Sequence, residues 1–177
     1  MLPLDLARLS REGSLRVEGR IPPDAGLWED TGIRLSEPLR VDLRVTEAQS
    51  GEIVVRGEMV CSLANECRCC LDPMTVTLRE EVTLIFAPQD TLGGTGDGEI
   101  RVLPSDTREV DLAESIREEV ILAAPTYVVC RPNCRGLCAR CGADLNETTC
   151  ECTVEEPDSR WDVLRALESE RGNDGSP

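Results

Sequence analysis

The residues in this chain best suited to chemistry are its ten cysteines, eight of which form four close pairs: Cys67-x-x-Cys70, Cys130-x₃-Cys134, Cys138-x-x-Cys141 and Cys150-x-Cys152. A C-x-x-C knuckle turns tightly enough to bring two sulfurs to one metal ion at about 2.3 Å, with backbone N–H groups pointing at the thiolates. Gly142, directly after Cys141, suits that sharp turn, where a side chain would clash. Two pairs complete a tetrahedral four-sulfur shell, so four pairs complete two shells with no ligand missing. The expected cofactor is structural zinc, two ions held by four cysteines each.

Spacing leaves the partnering of the pairs open. The local solution joins Cys138 and Cys141 to Cys150 and Cys152 in a ribbon of 15 residues. It leaves Cys67 and Cys70 for Cys130 and Cys134, a long loop closure of the kind that constrains an unfolded chain most. Two cysteines stand outside the pairs. Cys61 continues the apolar face of Met59 and reads as a small buried hydrophobe. Cys69 lies inside the first knuckle, where its side chain should point away from the metal, yet it is placed to replace Cys70 as a ligand. Rival chemistries use the same residues. Cys134-x₃-Cys138-x-x-Cys141 has the spacing of a radical-enzyme iron–sulfur motif, with Arg140 where an aromatic is usual. Disulfides or redox-active thiols are the other alternative.

Other chemistry is thin. The chain has no His, so it builds no Ser-His-Asp triad, Cys-His dyad or H-E-x-x-H site. A complete four-cysteine shell keeps no open position for a catalytic water. The run Leu92–Gly98 holds four glycines but lacks the Gly-Lys-Ser/Thr ending of a phosphate loop, and Asp97 would oppose an anion, so 89–99 reads as a linker. No catalytic residue is expected, and the chain reads as a non-enzyme.

Charge narrows the partners. Nineteen basic residues, all Arg, face 34 Asp and Glu, for a net charge of −15. Such a surface repels a phosphate backbone over most of its area and favours a basic protein. RNA contact needs a locally basic patch. Arg131, Arg135 and Arg140 lie in a stretch without acids from Thr126 to Ala143, and Arg68 lies in the first knuckle. These four arginines either offset the −2 of each zinc–thiolate centre or make a small face for RNA phosphate. No apolar run has membrane-spanning length and the first residues lack a signal pattern, so a cytoplasmic location with reduced thiols and no membrane contact is expected.

The elements that must position the cysteines are mostly strands. Leu15, Val17, Gly19 and Ile21 alternate, as do Val41, Leu43 and Val45, and Ile53, Val55, Gly57 and Met59. Val76 and Leu78 repeat the period, which breaks at Glu80 and Glu81 and resumes at Val82, Leu84 and Phe86. Period 2 with one apolar face predicts antiparallel strands, and Ala48–Gly51 predicts a tight turn between two of them. Leu2, Leu4 and Leu6 suggest an edge strand over Met1–Leu9. A helix is predicted over 111–123, capped by Asp111 with Glu114 as its capping-box partner, with Leu112, Ile116, Val120 and Ala123 as its apolar stripe and Pro125 as its stop. A shorter helix over Arg160–Arg171 should bury Trp161, Leu164 and Leu167, before a disordered tail from Gly172 to Pro177.

Several of these residues resemble one family. Cys67-Arg68-Cys69-Cys70-Leu71 is similar to its C-x-x-C-L signature. The run Cys130–Asn146, followed by Cys150-Glu151-Cys152, closely resembles its C-x₃-C-[KR]-G-L-C-x-x-C-G-x-[DN]-L-N…C-x-C pattern. Asp158-Ser159-Arg160-Trp161 through Leu167 is similar to its D-x-R-[WF]-x-x-L-x-x-L ending. This is the YceD family, the large ribosomal RNA subunit accumulation proteins of bacteria and plastids. Departures are Cys69, where a basic residue is usual, and Ala139, where Pro is common. The resemblance implies a role in the synthesis, processing or stability of 23S ribosomal RNA without a defined catalytic activity.

The expected fold is α+β: an antiparallel sheet core with one packed helix, a Cys-rich zinc-binding C-terminal lobe and a short C-terminal helix. The expected divisions are a β-rich body over 1–127, a zinc lobe over 128–155 and a helix and tail over 156–177. The expected function is a non-catalytic ribosome-biogenesis factor meeting ribosomal assembly intermediates or a basic ribosomal protein. The alternatives are an adaptor that binds protein only, such as a ribonuclease, and an RNA-acting enzyme.

Overall fold

The computed structural model describes residues 1–88, 100–104, 106–152, 160 and 162. The glycine run at 89–99, the tail and all of the expected C-terminal helix except Arg160 and Asp162 lie outside the described residues. The chain divides into two compact units, Met1–Cys134 and Arg135–Pro177.

The first unit is an α+β body. Its main sheet has the order β2 (Ser14–Ile21), β3 (Leu39–Glu47), β4 (Ile53–Glu66), β5 (Pro73–Pro88) and β6 (Ile100–Leu103). The first four strands run antiparallel to their neighbours, whereas β6 joins the edge of β5 in parallel, pairing Ile85 with Ile100. The predicted turn closes β3 onto β4, with the Gly51 N–H donating to Ala48 at 3.0 Å and Gly51 at a φ of 90°. The alternation works as expected: Leu39, Val41, Leu43 and Val45 face the core, while Arg40, Asp42 and Arg44 between them are exposed.

The break in the apolar period falls inside one strand, and one expectation about strands is corrected. β5 runs unbroken through Glu80 and Glu81, which pair with Met59 and Glu58. The sheet's hydrogen bonds use the backbone and continue even where an exposed Glu80 interrupts the apolar face. The supposed edge strand at Met1–Leu9 is only β1 (Pro3–Asp5), paired with β7 (Glu109–Asp111), and gives way to helix α1 (Leu6–Glu12). Asp5 caps that helix by accepting from the Arg8 N–H at 2.9 Å, and Gly13 ends it at a φ of 72°.

Helix α2 (Leu112–Ala123) lays Leu112, Ile116 and Val120, all fully buried, into the core with Leu4, Leu9, Leu84 and Trp28. Asp111 caps it by accepting from Ala113 N–H at 3.0 Å, and the same oxygen accepts from Leu2 N–H at 2.7 Å, tying the N-terminus to the helix start. Glu114 is ion-paired with Arg117 at 2.8 Å in place of the capping box, and Glu118 and Glu119 hold Arg101 of β6. Among the described residues, no helix is long and apolar enough to cross a membrane.

Candidate metal centres

All ten cysteines are free thiols, and eight of them meet in two groups of four. Cys67, Cys70, Cys130 and Cys134 form the first group, within Met1–Cys134. Cys138, Cys141, Cys150 and Cys152 form the second, within Arg135–Pro177. In each, the sulfurs lie within 4.8 Å of one another. The iron–sulfur spacing Cys134-x₃-Cys138-x-x-Cys141 is thereby divided between the two groups.

The first group grows out of the hairpin end of the sheet. β4 ends at Glu66 and β5 begins at Pro73, so Cys67–Asp72 form the connection. Cys67 N–H donates to the Asp72 carbonyl at 2.8 Å and Leu71 N–H returns to the Cys67 carbonyl at 2.9 Å, which closes the knuckle. The segment after α2 is docked by Arg68 N–H on the Val128 carbonyl at 2.8 Å and by Cys130 N–H on the Cys67 sulfur at 3.3 Å. The resulting separations are 3.8 Å from Cys67 Sγ to Cys134 Sγ and 3.7 Å from Cys70 Sγ to Cys130 Sγ. A tetrahedron with arms of about 2.3 Å has edges of about 3.8 Å, whereas a disulfide needs about 2.05 Å. The sulfurs therefore fit a four-coordinate soft metal and not a pair of S–S bonds.

Protonation follows the same geometry. Backbone N–H groups of Cys70 and Cys130 draw the Cys67 thiol down to about 6. For Cys70 the Asp72 N–H favours the thiolate, but burial, the Asp72 carboxylate and the adjoining sulfurs outweigh it and hold the thiol above its ordinary range. The Cys70 thiol donates to Asp72 Oδ2 at 3.1 Å. A metal ion replaces the proton sharing of such a cluster by ionising all four sulfurs.

The second group sits on a small hairpin whose framework is the residues between the cysteines. Cys138 N–H donates to the Ala143 carbonyl at 2.8 Å and Gly142 N–H to the Cys138 carbonyl at 2.9 Å. Leu137 bridges Asp144, and Leu145 N–H donates to the Gly136 carbonyl at 2.9 Å. Asp144 accepts from both Asn146 N–H groups, at 2.8 and 2.7 Å, and Asn146 Oδ1 in turn accepts from Arg135 N–H at 2.8 Å. The Cys138 thiol is drawn down to about 6 by the Cys141 and Arg140 backbone N–H groups. The Cys141 sulfur pushes Cys152 up to about 12.

The two knuckles share one backbone shape. Gly142 has a φ of 73°, and Leu71, in the matching place after Cys70, has a φ of 63°. A leucine there is strained, and its side chain is 58% exposed. Sequence reasoning singled out Gly142 and passed over Leu71, although both directly follow a C-x-x-C. Cys61 is buried as expected. Cys69 stays outside the sulfur group, with its sulfur 3.8 Å from the Tyr127 hydroxyl. Arg68 and Arg131 are exposed in the first unit, Arg135 and Arg140 in the second.

Comparison with known proteins agrees with these residues. The sequence profile described as "Large ribosomal RNA subunit accumulation protein YceD" matches residues 55–168, a span that holds all eight clustered cysteines. An uncharacterized protein of Mycobacterium tuberculosis (strain H37Rv) is 31% identical over 169 residues, covering 92% of this chain and 79% of the relative. The chloroplastic YCED homolog 1 of Zea mays is 28% identical over 157 residues, covering 73% of this chain and 53% of the relative. Its Arabidopsis thaliana counterpart is 36% identical over 64 residues, covering 36% and 20%. No solved structure matches the chain. The chain belongs to the YceD family of large ribosomal RNA subunit accumulation proteins.

Proposed function

We propose that this protein is a non-catalytic, cytoplasmic factor supporting the synthesis, processing or stability of 23S ribosomal RNA, with zinc in both four-cysteine groups. The observation that carries the proposal is the family profile, which spans the whole cysteine constellation. Related plant proteins carry the name large ribosomal RNA subunit accumulation protein. In this reading Cys67, Cys70, Cys130 and Cys134 hold one ion and Cys138, Cys141, Cys150 and Cys152 the other. Each ion supplies a cross-link between chain segments. Four sulfurs fill each shell, so neither ion offers a place to a substrate water.

Arg68, Arg131, Arg135 and Arg140, all exposed, are the contacts to ribosomal RNA phosphate beside these centres. Depleting the protein should lower mature 23S RNA, and a rescue copy carrying Cys67→Ser and Cys138→Ser should fail to restore it. Normal 23S RNA after depletion would sink the proposal, and metal analysis far from two zinc per chain would sink its zinc part. The net charge of −15 favours a second reading, an adaptor that holds a basic ribosomal protein or a ribonuclease without touching RNA. Crosslinking in cells that captures only protein would select it.

A further inference from the structure

The solvent face of the main sheet carries its charges in rows. Register places Arg16, Arg44 and Arg56 side by side across β2, β3 and β4. The next outward positions are all acids: Glu18, Asp42, Glu58 and, on β5, Glu81. The row after that returns to arginine, with Arg20 beside Arg40 and Arg79 at its far end. Six arginines against four acids make these three rows +2 in a chain of −15, and Glu66 at the end of β4 brings the whole face to +1. Like charges directly opposite one another on a sheet are destabilising, and solvent-facing positions accept any polar residue, so the fold itself does not call for these rows.

Their availability differs. Arg16 pairs with Asp42 and Glu18, and Arg79 with Glu58. Among the described residues Arg20, Arg40, Arg44, Arg56 and Glu81 have no ion-pair partner. A cleft of about 780 Å³ lies at Gly57, lined by Arg16, Arg44 and Arg56 together with Asp42, Glu58 and Glu81.

We infer that this face seats a double-helical segment of RNA across its minor groove, which deepens the ribosomal RNA reading above and rests on it. The two arginine rows are four residues apart along the strands, about 13 Å, and meet phosphates on the two sides of the groove. The acidic row between them accepts hydrogen bonds from the 2′-hydroxyls that an A-form minor groove displays. Single-stranded RNA fits less well, because none of the three rows offers an aromatic ring for stacking. DNA has no 2′-hydroxyl to give. A basic protein segment would meet arginines on both sides of the acids.

The test is fluorescence anisotropy of the metal-loaded full chain with a labelled 20-base-pair RNA duplex, the matching DNA duplex and the single RNA strand, each at several salt concentrations. The RNA duplex should bind best. Arg44→Gln with Arg56→Gln should weaken it about tenfold or more and reduce the salt slope by about two, with no loss of thermal stability. Glu81→Gln separates recognition from plain charge. It makes the protein more positive, yet RNA-duplex affinity should fall about threefold while DNA affinity holds or rises. Unchanged RNA binding by the double arginine variant, equal affinity for DNA, or tighter RNA binding by Glu81→Gln would overturn the inference. So would loss of duplex binding only when Arg131, Arg135 and Arg140 are changed to Glu. If the chain binds no RNA but its depletion still lowers 23S RNA, the inference and the arginine contacts fall while the role in 23S RNA accumulation stands; if depletion leaves 23S RNA normal, the functional reading falls too.

Discussion

If the first four-cysteine group holds a metal, its loss should cost more stability than loss of the second group. The perturbation is Cys67→Ser with Cys70→Ser, which leaves Cys130 and Cys134 without a full shell. Cys70 and Cys130 are 60 positions apart, and the loop-closure relation for a cross-link of that span gives about 4 kcal/mol. Cys141 and Cys150 are nine positions apart, for which the same relation gives about 2.5 kcal/mol. The unfolding entropy of the 134 residues in Met1–Cys134 is about 280 cal/mol/K. A loss of about 4 kcal/mol then lowers the melting temperature by about 15 °C. Differential scanning calorimetry with and without a strong chelator reads this directly. The chelator should reproduce this shift in the unmodified chain and add to the Cys67→Ser/Cys70→Ser variant only the smaller shift that Cys138→Ser/Cys141→Ser causes by itself. A drop below about 5 °C, or an equal chelator effect on the unmodified chain and the first variant, would refute the reasoning.

Other outcomes follow from single positions. A Cβ at Gly57 would lie 2.0 Å from the Asp42 carbonyl oxygen and 2.8 Å from Leu43 Cα, both backbone, so Gly57→Ala should cost about 3 kcal/mol or more in urea unfolding. A Cβ at Gly19 would meet the movable Leu2 Cδ2 at 2.1 Å, so Gly19→Ala should cost clearly less; equal costs would contradict this account of the two glycines. Leu71→Gly relieves a left-handed leucine worth about 1–2 kcal/mol and adds glycine's chain entropy, so a net stabilisation of about 0.5–1 kcal/mol is expected, and destabilisation would show that Leu71 packs against something. Burial pushes the Cys61 thiol up to about 11 from an ordinary 9.0, so the buried neutral thiol stabilises the fold fully below pH 9 and loses that contribution as pH rises from 9 through 11. The stability advantage of the unmodified chain over Cys61→Ala should therefore shrink by up to roughly 3 kcal/mol across that range, and a constant difference would exclude the mechanism.

The parts of this fold that were legible in the chain are those written in short-range periods. Leu39 to Val45 alternate and face the core as read; Leu112, Ile116 and Val120 follow the helical period into the same core. Residues 1–12 were misjudged because two signals overlap there. Leu2, Leu4 and Leu6 suggest period 2, while the Asp5 cap and the Gly13 stop mark a helix between them, and the caps prevailed. β6 carries only four residues and pairs in parallel across a long connection, so nothing local announced it. At the metal centres the cysteine types and spacings were enough to group the sulfurs. What spacing could not show was the support: the Asp72 contacts of the first knuckle and the Asp144–Asn146–Arg135 chain under the second.

The charge rows mark the limit of one-dimensional reading more sharply. Each of Arg16, Arg44 and Arg56 is an ordinary outward residue on its own strand, and alternation predicts only that it meets solvent. Whether neighbours across the sheet carry the same or the opposite sign depends on register, which the buried faces and turns of separate strands determine. A slip of two residues between β3 and β4 would preserve every buried position and set Arg44 beside Glu58 or Val54 in place of Arg56. The arginine row would then be broken without any change in the apolar pattern. Along the sequence, the basic patch that stands out is the set of arginines among the cysteines. The larger one is assembled by pairing, from strands whose own charges nearly cancel.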